Sequence, residues 1–238
     1  MDANVDFVSV PLVRFTKKGR DAWGPKGWFT IHFLTYIFVI SAANIDWFCK
    51  FLEALKHLLP CDQCCQNLNY KIQKVPPRGY LVKPGGAFTL GYIYHDMANK
   101  DITIKNPDKP AKISPPFEEV KRTFSNPELL SNGWKQPLWE FILFLAAGYR
   151  PENSKWFKQI IECLIHLLPE ESGKHIARIC EMIPVDAYLR NNHDCFFLAY
   201  TYWDLVSKSH NIRVPPFEQT KSVYFSALKD DCGECHID

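Results

Sequence analysis

Cys61 and Cys64 are separated by two residues in the stretch Leu58-Leu59-Pro60-Cys61-Asp62-Gln63-Cys64-Cys65. The proline ends the apolar periodicity before it, so the pair is predicted to open a new helix. Free N–H groups at a helix N-terminus stabilise a thiolate and lower its pKa. The pattern therefore indicates a disulfide that opens and closes, which is the chemistry of thiol–disulfide exchange. Cys65 adjoins the pair, and its role stays open.

The chain contains nine cysteines, and one further pair has the same spacing, Cys232 and Cys235 in the polar stretch after the last apolar periodicity. The others, apart from Cys65, lie on apolar helical patterns where buried free thiols are common: Cys49, Cys163, Cys180 and Cys195. We expect these four to fill the core. The odd total leaves at least one thiol without an intramolecular partner.

The composition limits the class of protein. The 238 residues, 47% of them hydrophobic, suffice for one large or two small cores. The net charge of +2 is spread along the chain, so neither nucleic acid nor a membrane surface is indicated as a partner. The longest apolar run, Trp28 to Asn44, contains His32 and is predicted to be a buried helix rather than a membrane span. Met1 to Asp21 has no signal-peptide pattern, which predicts a cytosolic protein.

Helical periodicity dominates, and no stretch shows the strict alternation of a strand, so we predict an all-α fold. After an irregular arm at 1–21, the first half is predicted to form five helices: about Lys26–Ala42, Ile45–Leu58, Cys61–Gln73, Ala87–Lys100 and a short one that starts near Pro115. Trp23-Gly24-Pro25 is expected to precede the first helix, with the proline in its first turn. Trp28 and His32 share one helical face, and Tyr92, His95 and Asn99 share another.

The sequence contains an internal duplication. Four patterns recur in the same order, with an offset that drifts only from 111 to 100 residues: Trp23-x4-Trp28 with Trp134-x4-Trp139, His57-Leu58-Leu59-Pro60 with His166-Leu167-Leu168-Pro169, Tyr92-Ile93-Tyr94 with Tyr200-Thr201-Tyr202, and Pro115-Pro116-Phe117-Glu118 with Pro215-Pro216-Phe217-Glu218. We therefore predict two helical modules, 22–125 and 133–226, and a tail at 227–238.

The two copies differ where reactive side chains occur. Packing residues are kept, whereas four polar positions of the first copy change in the second: His32 to Leu143, Cys61 to Glu170, His95 to Trp203 and Asn99 to Ser207. We infer that the residues lost from the second copy, together with Cys64, belong to one site in the first.

Three motifs of the first module occur in a specific order: Trp23-Gly24-Pro25-Lys26-x-Trp28-x3-His32, Leu59-Pro60-Cys61-x-x-Cys64 and His95-Asp96-x-x-Asn99. Together they resemble the Erv/ALR family of FAD-dependent sulfhydryl oxidases, and the first motif is most similar to members from large DNA viruses. The resemblance covers residues 22–124 and implies a five-helix domain with FAD at the mouth of the bundle. Asp96 departs from the family pattern, which has asparagine, and is expected to weaken FAD binding or to alter a hydrogen bond.

The resemblance implies a route for the electrons. A thiolate attacks Cys61, the more accessible sulfur, and Cys64 passes two electrons to the flavin, which reduces O₂ to hydrogen peroxide. Family members often carry a mobile second pair on a tail, which assigns Cys232 and Cys235 as a shuttle from protein thiols or a thioredoxin-like relay. A viral enzyme of this kind would work in the host cytoplasm, in a virus factory or in the virion.

The resemblance also implies the cofactor contacts. Trp28 and His32 would pack on or hydrogen-bond to the flavin, and His95 and Asn99 would hold its adenine and ribose end. The other candidates are the motif aromatics Trp23 and Tyr92 and, by charge alone for the pyrophosphate, Lys26 and Lys105. The second module would supply a dimer-like face within one chain, making a pseudo-dimer, or would bind substrate; a further homodimer stays open.

Two other classes remain open at the level of sequence. One is a zinc-binding interaction protein that uses the two cysteine pairs, although 168 residues separate Cys64 from Cys232, much more than in usual zinc sites. The other is a thioredoxin-like reductase or isomerase, which needs a strand directly before its cysteine pair, and none is predicted before Cys61. A purely structural helical protein would leave the losses in the second copy unexplained.

Overall fold

A computed structural model describes residues 8–229, and this part of the chain is mostly helical. The α-helices are α1 (Arg20–Tyr36), α2 (Ala42–Leu58), α3 (Asp62–Lys74), α4 (Arg78–Leu81), α5 (Gly86–Lys105), α6 (Phe117–Phe124), α7 (Lys135–Ala147), α8 (Ser154–Leu167), α9 (Glu170–Met182), α10 (Asn192–Lys208) and α11 (Phe217–Lys229). The strands are β1 (Val8–Ser9) and β2 (Ile212–Arg213), and short 3₁₀ or π turns lie at Leu129–Gly133, Pro151–Asn153 and Val185–Tyr188.

The helical class predicted from the sequence is confirmed, with one small exception. β1 and β2 form a parallel pair, in which Val8 lies opposite Ile212. Strands of two residues are too short to show alternation, which is why periodicity missed them. Among residues 8–229, no helix is both long and apolar enough to cross a membrane.

The first helix begins earlier than predicted and also ends earlier, at Tyr36. Its N-cap is Gly19, which has a φ of 52°. Glycine adopts a positive φ with little strain because it has no Cβ. Pro25 therefore lies inside the helix, and the prediction that it starts the helix is wrong. Because proline has no N–H, the carbonyl oxygen of Asp21 cannot receive the usual helical hydrogen bond from residue 25.

The boundaries around the cysteine pair agree with the sequence. Ser41 caps α2 by accepting a hydrogen bond from the N–H of Asn44. α2 ends at Leu58, before Pro60, and α3 then begins with Cys61 as its N-cap. The pair thus lies on the first turn of a 13-residue helix.

We call α1–α6 the first half of the chain and α7–α11 the second half. In the first half α1 packs on α5 and α6, and α3 packs on α2 and α5; in the second, α7 packs on α10 and α11, and α9 packs on α8 and α10. The halves meet through α2 against α8 and α1 against α7. Two stacked ring pairs lie at the first of these contacts, Trp47 on His166 (4.1 Å) and His57 on Trp156 (4.3 Å). One continuous core results.

Close approach of α1 to α7 depends on Gly27. A Cβ at this position would lie 2.9 Å from the ring of Phe141, so Gly27→Ala forces the ring to move. We expect the substitution to lower the free energy of unfolding by about 1–3 kcal/mol in urea denaturation. Gly24→Ala is the matched control on the same helix, because its Cβ meets nothing closer than 3.8 Å. It should raise stability by up to about 1 kcal/mol, and equal effects of the two would contradict the packing described.

Candidate functional site: a helix-capping disulfide and an aromatic cavity

Cys61 and Cys64 form a disulfide across the first turn of α3, with Cα atoms 5.2 Å apart. The sulfur of Cys61 also accepts a hydrogen bond from the N–H of Cys64 at 3.3 Å. When the disulfide is open, the same N–H groups and the helix N-terminus favour a thiolate at this position. The predicted pair is therefore placed where thiol–disulfide exchange is favourable.

Accessibility of the two sulfurs differs from the expectation. Cys61 is only 6% exposed, whereas Cys64 is half-buried, so the prediction that Cys61 is the more accessible one is wrong. Beside Cys61, the two halves of the chain are in close contact. Pro60 packs so closely on Gly148 that a Cβ there would lie 2.7 Å away. Such a contact across 88 residues leaves no trace in local periodicity.

The remaining described cysteines are free thiols with raised pKa values. Burial raises the pKa of Cys65 to about 11, and its S–H group donates to the carbonyl of Leu59. Burial also raises the pKa of the four predicted core thiols, of which two are buried and two half-buried: Cys163 and Cys195, then Cys49 and Cys180. A raised thiol pKa means little thiolate at neutral pH, which sets these groups apart from the disulfide pair.

A cavity of about 510 Å³ lies between α1, α5, α6 and the segment 112–115. Five of the residues that the sequence assigned to a site line it: Trp28, His32, Tyr92, His95 and Asn99. Two helices that are far apart in sequence therefore bring their predicted faces together around one space. The disulfide residues do not line this cavity.

A pair of histidines forms the cavity floor. Nε2 of His32 lies 3.0 Å from Nδ1 of His95, which fixes one ring against the other. Burial and, to a smaller extent, the neighbouring His95 lower the pKa of His32 to about 3. Burial likewise lowers the pKa of His95 to about 4, with a smaller contribution from Lys112. Both rings are therefore neutral at pH 7. Nδ1 of His32 is buried and has no hydrogen-bond partner among the described residues.

Flat aromatic surfaces surround the histidines. Trp28 stacks on His95 with ring centroids 4.5 Å apart and planes within 6°. His32 is flanked by Phe88 (5.7 Å) and Phe124 (5.4 Å). Such walls suit a planar aromatic ligand, which can stack on them as the side chains stack on each other. Sequence reasoning missed the two phenylalanines, because neither Phe88 nor Phe124 belongs to a motif from which the site was predicted.

The segment 112–115 is tied to α5 by polar contacts. Nδ2 of Asn99 donates to Oγ of Ser114 at 3.0 Å, and the hydroxyl of Tyr92 donates to the carbonyl of Pro115 at 2.9 Å. Asp96 pairs with Lys100 at 2.6 Å, and this contact, with a hydrogen bond from Ser114, lowers its pKa. The carboxylate that departs from the family pattern is thus ionised and helps to hold this segment over the cavity.

Three of the predicted cofactor residues lie elsewhere. Trp23 is buried in the core, and its Nε1 has no hydrogen-bond partner among the described residues. Lys26 pairs with the buried Glu140 of α7 at 2.5 Å, so its charge is engaged between the two halves. Lys105 is exposed at the end of α5 and does not line the cavity. The basic residues that do line it are Lys17, Arg20 and Lys112, alongside the acidic Asp21, Asp96 and Glu119.

The direction of α3 relative to α5 shows toward which end of α5 the disulfide lies. α3 and α5 run antiparallel, because Lys71 contacts Asp101 (2.5 Å) whereas Val75, which follows the last residue of α3, contacts Tyr94, earlier in α5 (2.7 Å). The N-terminus of α3 with its disulfide therefore lies toward the C-terminal end of α5 and not toward its start. The cavity extends along α5 to Ile102, toward that end. The second predicted pair, Cys232 and Cys235, lies outside the described residues.

The buried histidines predict a pH-dependent stability. A histidine whose folded pKa lies below its unfolded value of about 6.5 binds fewer protons in the folded state, so stability is complete above pH 6.5 and falls as the pH drops toward 4. The slope should reach ~1.4 kcal/mol per pH unit for each ring. We expect His32→Leu to flatten this slope in urea denaturation between pH 6.5 and 4. An unchanged slope of stability against pH would show that the His32 ring is not buried in its neutral form.

Comparison with family models, with curated proteins and with solved structures gives no match to this chain.

Proposed function

We propose that this chain is a FAD-dependent sulfhydryl oxidase that forms disulfides in protein thiols. The observation that carries the proposal is the helix-capping disulfide of Cys61 and Cys64, in the same half of the chain as the cavity of His32 and His95. An exchangeable disulfide supplies the entry for electrons, and the aromatic cavity in the same half of the chain suits a planar acceptor. Its substrates would be protein dithiols or a thioredoxin-like relay, with O₂ as the final acceptor.

The cavity residues fit a flavin dinucleotide. A volume of about 510 Å³ lies within the range of about 300–1,000 Å³ usual for ligand pockets. The parallel rings of Trp28 and His95 offer a stacking surface, and the unpartnered Nδ1 of His32 offers a buried polar atom to a ligand. Lys17 and Arg20 at the wall suit phosphate oxygens. When bound, FAD supplies a two-electron acceptor that O₂ can reoxidise.

The chain's own residues account for the thiol half of the reaction. A substrate thiolate attacks the sulfur of Cys61, the disulfide breaks, and Cys64 leaves as a thiolate stabilised by the N-terminus of α3. The second substrate thiolate then attacks the mixed disulfide and releases Cys61. The substrate loses two electrons and two protons, which overall reduce one O₂ to one H₂O₂.

We further propose that the second half is a degenerate copy of the first and forms a pseudo-dimer with it. Two hydrogen bonds from tyrosine hydroxyls to backbone carbonyls recur at matched positions. The hydroxyl of Tyr92 donates to Pro115 (2.9 Å), and that of Tyr200 donates to Pro215 (2.8 Å). In the same way Tyr94 donates to Val75 (2.7 Å), and Tyr202 donates to Ile183 (2.6 Å). The stacks of Trp47 on His166 and of His57 on Trp156 are reciprocal contacts of matched residues, as in an isologous interface.

The counterpart of the cavity in the second half is filled by apolar side chains. Trp203, at the position of His95, is 4% exposed, and Leu143, at the position of His32, is fully buried. Tyr224, at the position of Phe124, packs against Phe15 from the segment before α1 (5.1 Å). These contacts support the proposal that the second half keeps the helical framework but holds no cofactor.

Oxygen uptake tests the proposal. The purified full chain, given dithiothreitol, should consume O₂ and release an equal amount of H₂O₂. The reaction should need flavin, supplied in the growth medium as riboflavin or added as FAD. A colourless protein that takes up no O₂ would overturn the proposal, and stoichiometric zinc in that protein would instead support the zinc-binding class.

A further inference from the structure

Two histidines of the second half meet at one hydroxyl group. Nδ1 of His175, on α9, lies 3.1 Å from Oγ of Ser209, and Nδ1 of His210 lies 2.9 Å from the same oxygen. Ser209 and His210 belong to the turn that follows α10. None of these three residues lines the cavity of the first half or takes part in the proposed thiol exchange.

The hydrogen bonds determine which ring nitrogens carry protons. The hydroxyl of Ser209 donates to the carbonyl of Val206 at 2.7 Å, so its oxygen accepts from the histidines. Nδ1 of His210 also lies 2.9 Å from that carbonyl, which can only accept. Both neutral rings therefore carry their proton on Nδ1. Nε2 of each ring has no hydrogen-bond partner among residues 8–229, and it becomes a second donor when the ring is protonated.

Two further cationic side chains lie beside these rings. Arg178, one turn beyond His175 on α9, is exposed and forms no ion pair within the part of the chain that the structure describes. Lys135, at the start of α7, donates to the amide oxygen of Asn132 at 2.9 Å. Burial and, to a smaller extent, the positive charges of His210, Arg178 and Lys135 lower the pKa of His175. We call these four residues the basic cluster: Lys135, His175, Arg178 and His210.

The carboxylates of the surrounding helices are engaged elsewhere. Those of α7 to α10 form ion pairs with other residues or act on the thiol of Cys180: Glu140 with Lys26, Glu170 and Glu171 with Lys174, Asp194 with Arg190, and Asp204 with Lys208, whereas Glu162 and Glu181 act on the thiol. Positive charges gathered without a carboxylate disfavour one another, and a bound anion relieves this repulsion.

The proposed duplication relates the basic cluster to the cavity of the first half. Lys135 and His210 occupy the positions that match Gly24 and Ile102, and both of these line the cavity. In the second half the space behind is filled, since Trp203 at the position of His95 is buried. Only the outer edge of the counterpart is left to a ligand, which suits a small anion rather than a dinucleotide.

We propose that the basic cluster binds a phosphate group, either as inorganic phosphate or as a small phosphate ester. The guanidinium of Arg178 and the protonated rings of His175 and His210 can donate charge-assisted hydrogen bonds to several oxygens of one tetrahedral anion. The ammonium of Lys135 adds a further positive charge. Binding involves no covalent step, and it depends neither on a flavin nor on the disulfide of the first half.

Binding should strengthen as the pH falls. Without a ligand the pKa of His175 lies below its usual value, so the ring is neutral at pH 7. An anion beside the ring favours the charged form and raises this pKa, so binding takes up a proton. The affinity for an anion of constant charge should therefore be at least about tenfold higher at about pH 5.5 than at about pH 8.

Calorimetric titration of the full chain with sulfate tests the proposal at constant ionic strength. Sulfate stands in for phosphate because it keeps two charges throughout this pH range. We expect the pH dependence just given, and acetate, a planar monoanion, should bind at least about tenfold more weakly than sulfate at about pH 5.5. Sulfate affinity that does not change with pH, or that acetate equals, would overturn the site.

A second titration distinguishes the two sources of the phosphate group. Inorganic phosphate and glycerol 3-phosphate are compared at the same pH. Tighter binding of the ester would assign a phosphate ester as the ligand, and equal or tighter binding of inorganic phosphate would assign the free ion. Absence of binding by both would overturn the proposal.

A matched pair of variants locates the anion. Arg178→Gln should lower the sulfate affinity at least about fivefold at about pH 5.5, because it removes a charged donor. Arg190→Gln is the control, since Arg190 is an exposed arginine of the same half whose partner is Asp194 (2.9 Å). It should change the affinity less than about twofold. Equal losses in the two variants would mean that sulfate responds to net charge alone, and the site would fall.

Nuclear magnetic resonance gives an independent readout at one ring. The pKa of His175, followed through its Cε1 proton, should rise by at least about half a unit when sulfate saturates the unmodified chain. The rise should be smaller in Arg178→Gln. A pKa of His175 that sulfate leaves unchanged would show that the anion does not bind at the basic cluster.

Discussion

Replacement of Cys64 by serine is expected to lower thiol oxidation by at least about 1,000-fold, to the background rate. The reason is that the disulfide with Cys61 can no longer form, so no sulfur can pass electrons onward. Oxygen uptake with dithiothreitol measures the loss. Thermal unfolding, measured alongside, should show that the helical fold is kept, because the bond closes only one turn of α3.

Cys65→Ser is the matched control, one residue further along α3. Its thiol is protonated at neutral pH, with a pKa raised to about 11, and serine preserves the hydrogen bond to the carbonyl of Leu59. We expect this variant to keep at least half of the activity. Comparable loss in the two variants would mean that the region fails for structural reasons, and the disulfide would lose its assigned role.

His95→Trp places in the cavity the side chain that the second half has at residue 203. We expect the flavin content of the purified protein to fall at least tenfold, because the indole fills space beside Trp28 and removes the partner of His32. A tenfold fall in affinity corresponds to about 1.4 kcal/mol. Flavin is measured by absorbance after release from the denatured protein.

Trp203→Phe is the control for His95→Trp. Residue 203 is buried at the corresponding position of the second half, so a smaller ring there should lower stability without changing flavin content. Loss of flavin from both variants would indicate general loss of packing, and retention in both would show that the cavity of His95 does not hold the cofactor.

Local sequence signals predicted the helices and the faces they present. The proline at 60 marked the start of α3, and the i, i+4 spacing of Trp28 and His32 correctly placed both on the cavity side of α1. The faces of α5 followed in the same way. These predictions succeed because the period of a helix fixes which side chains share a side, whatever the rest of the fold does.

Contacts between distant segments were not predictable. Lys26 has the charge for a phosphate, yet its partner is Glu140, which only the packing of α1 on α7 brings near. Trp23 belongs to the same motif as Trp28 but faces the core. Pro60, the neighbour of Cys61, packs on Gly148 in the second half. In each case the decisive residue is more than 80 positions away or on the opposite face of the helix, beyond the reach of spacing.

Boundaries set by a single residue were also missed. Gly19 lets the first helix start at Arg20, and this places Pro25 inside the helix against the usual preference. The same start puts Arg20 and Asp21 at the cavity wall. A glycine with positive φ as N-cap is one of several options that the sequence allows, so pattern alone could not select it.

Anaerobic reduction of the purified protein tests the central claim most directly. With O₂ removed, dithiothreitol should bleach the visible absorption of a bound flavin in the unmodified chain, and admission of air should restore it. In the Cys64→Ser variant the flavin should stay oxidised under the same conditions. A purified chain without flavin, or a flavin that dithiothreitol reduces equally fast in both proteins, would contradict electron transfer through the Cys61–Cys64 disulfide.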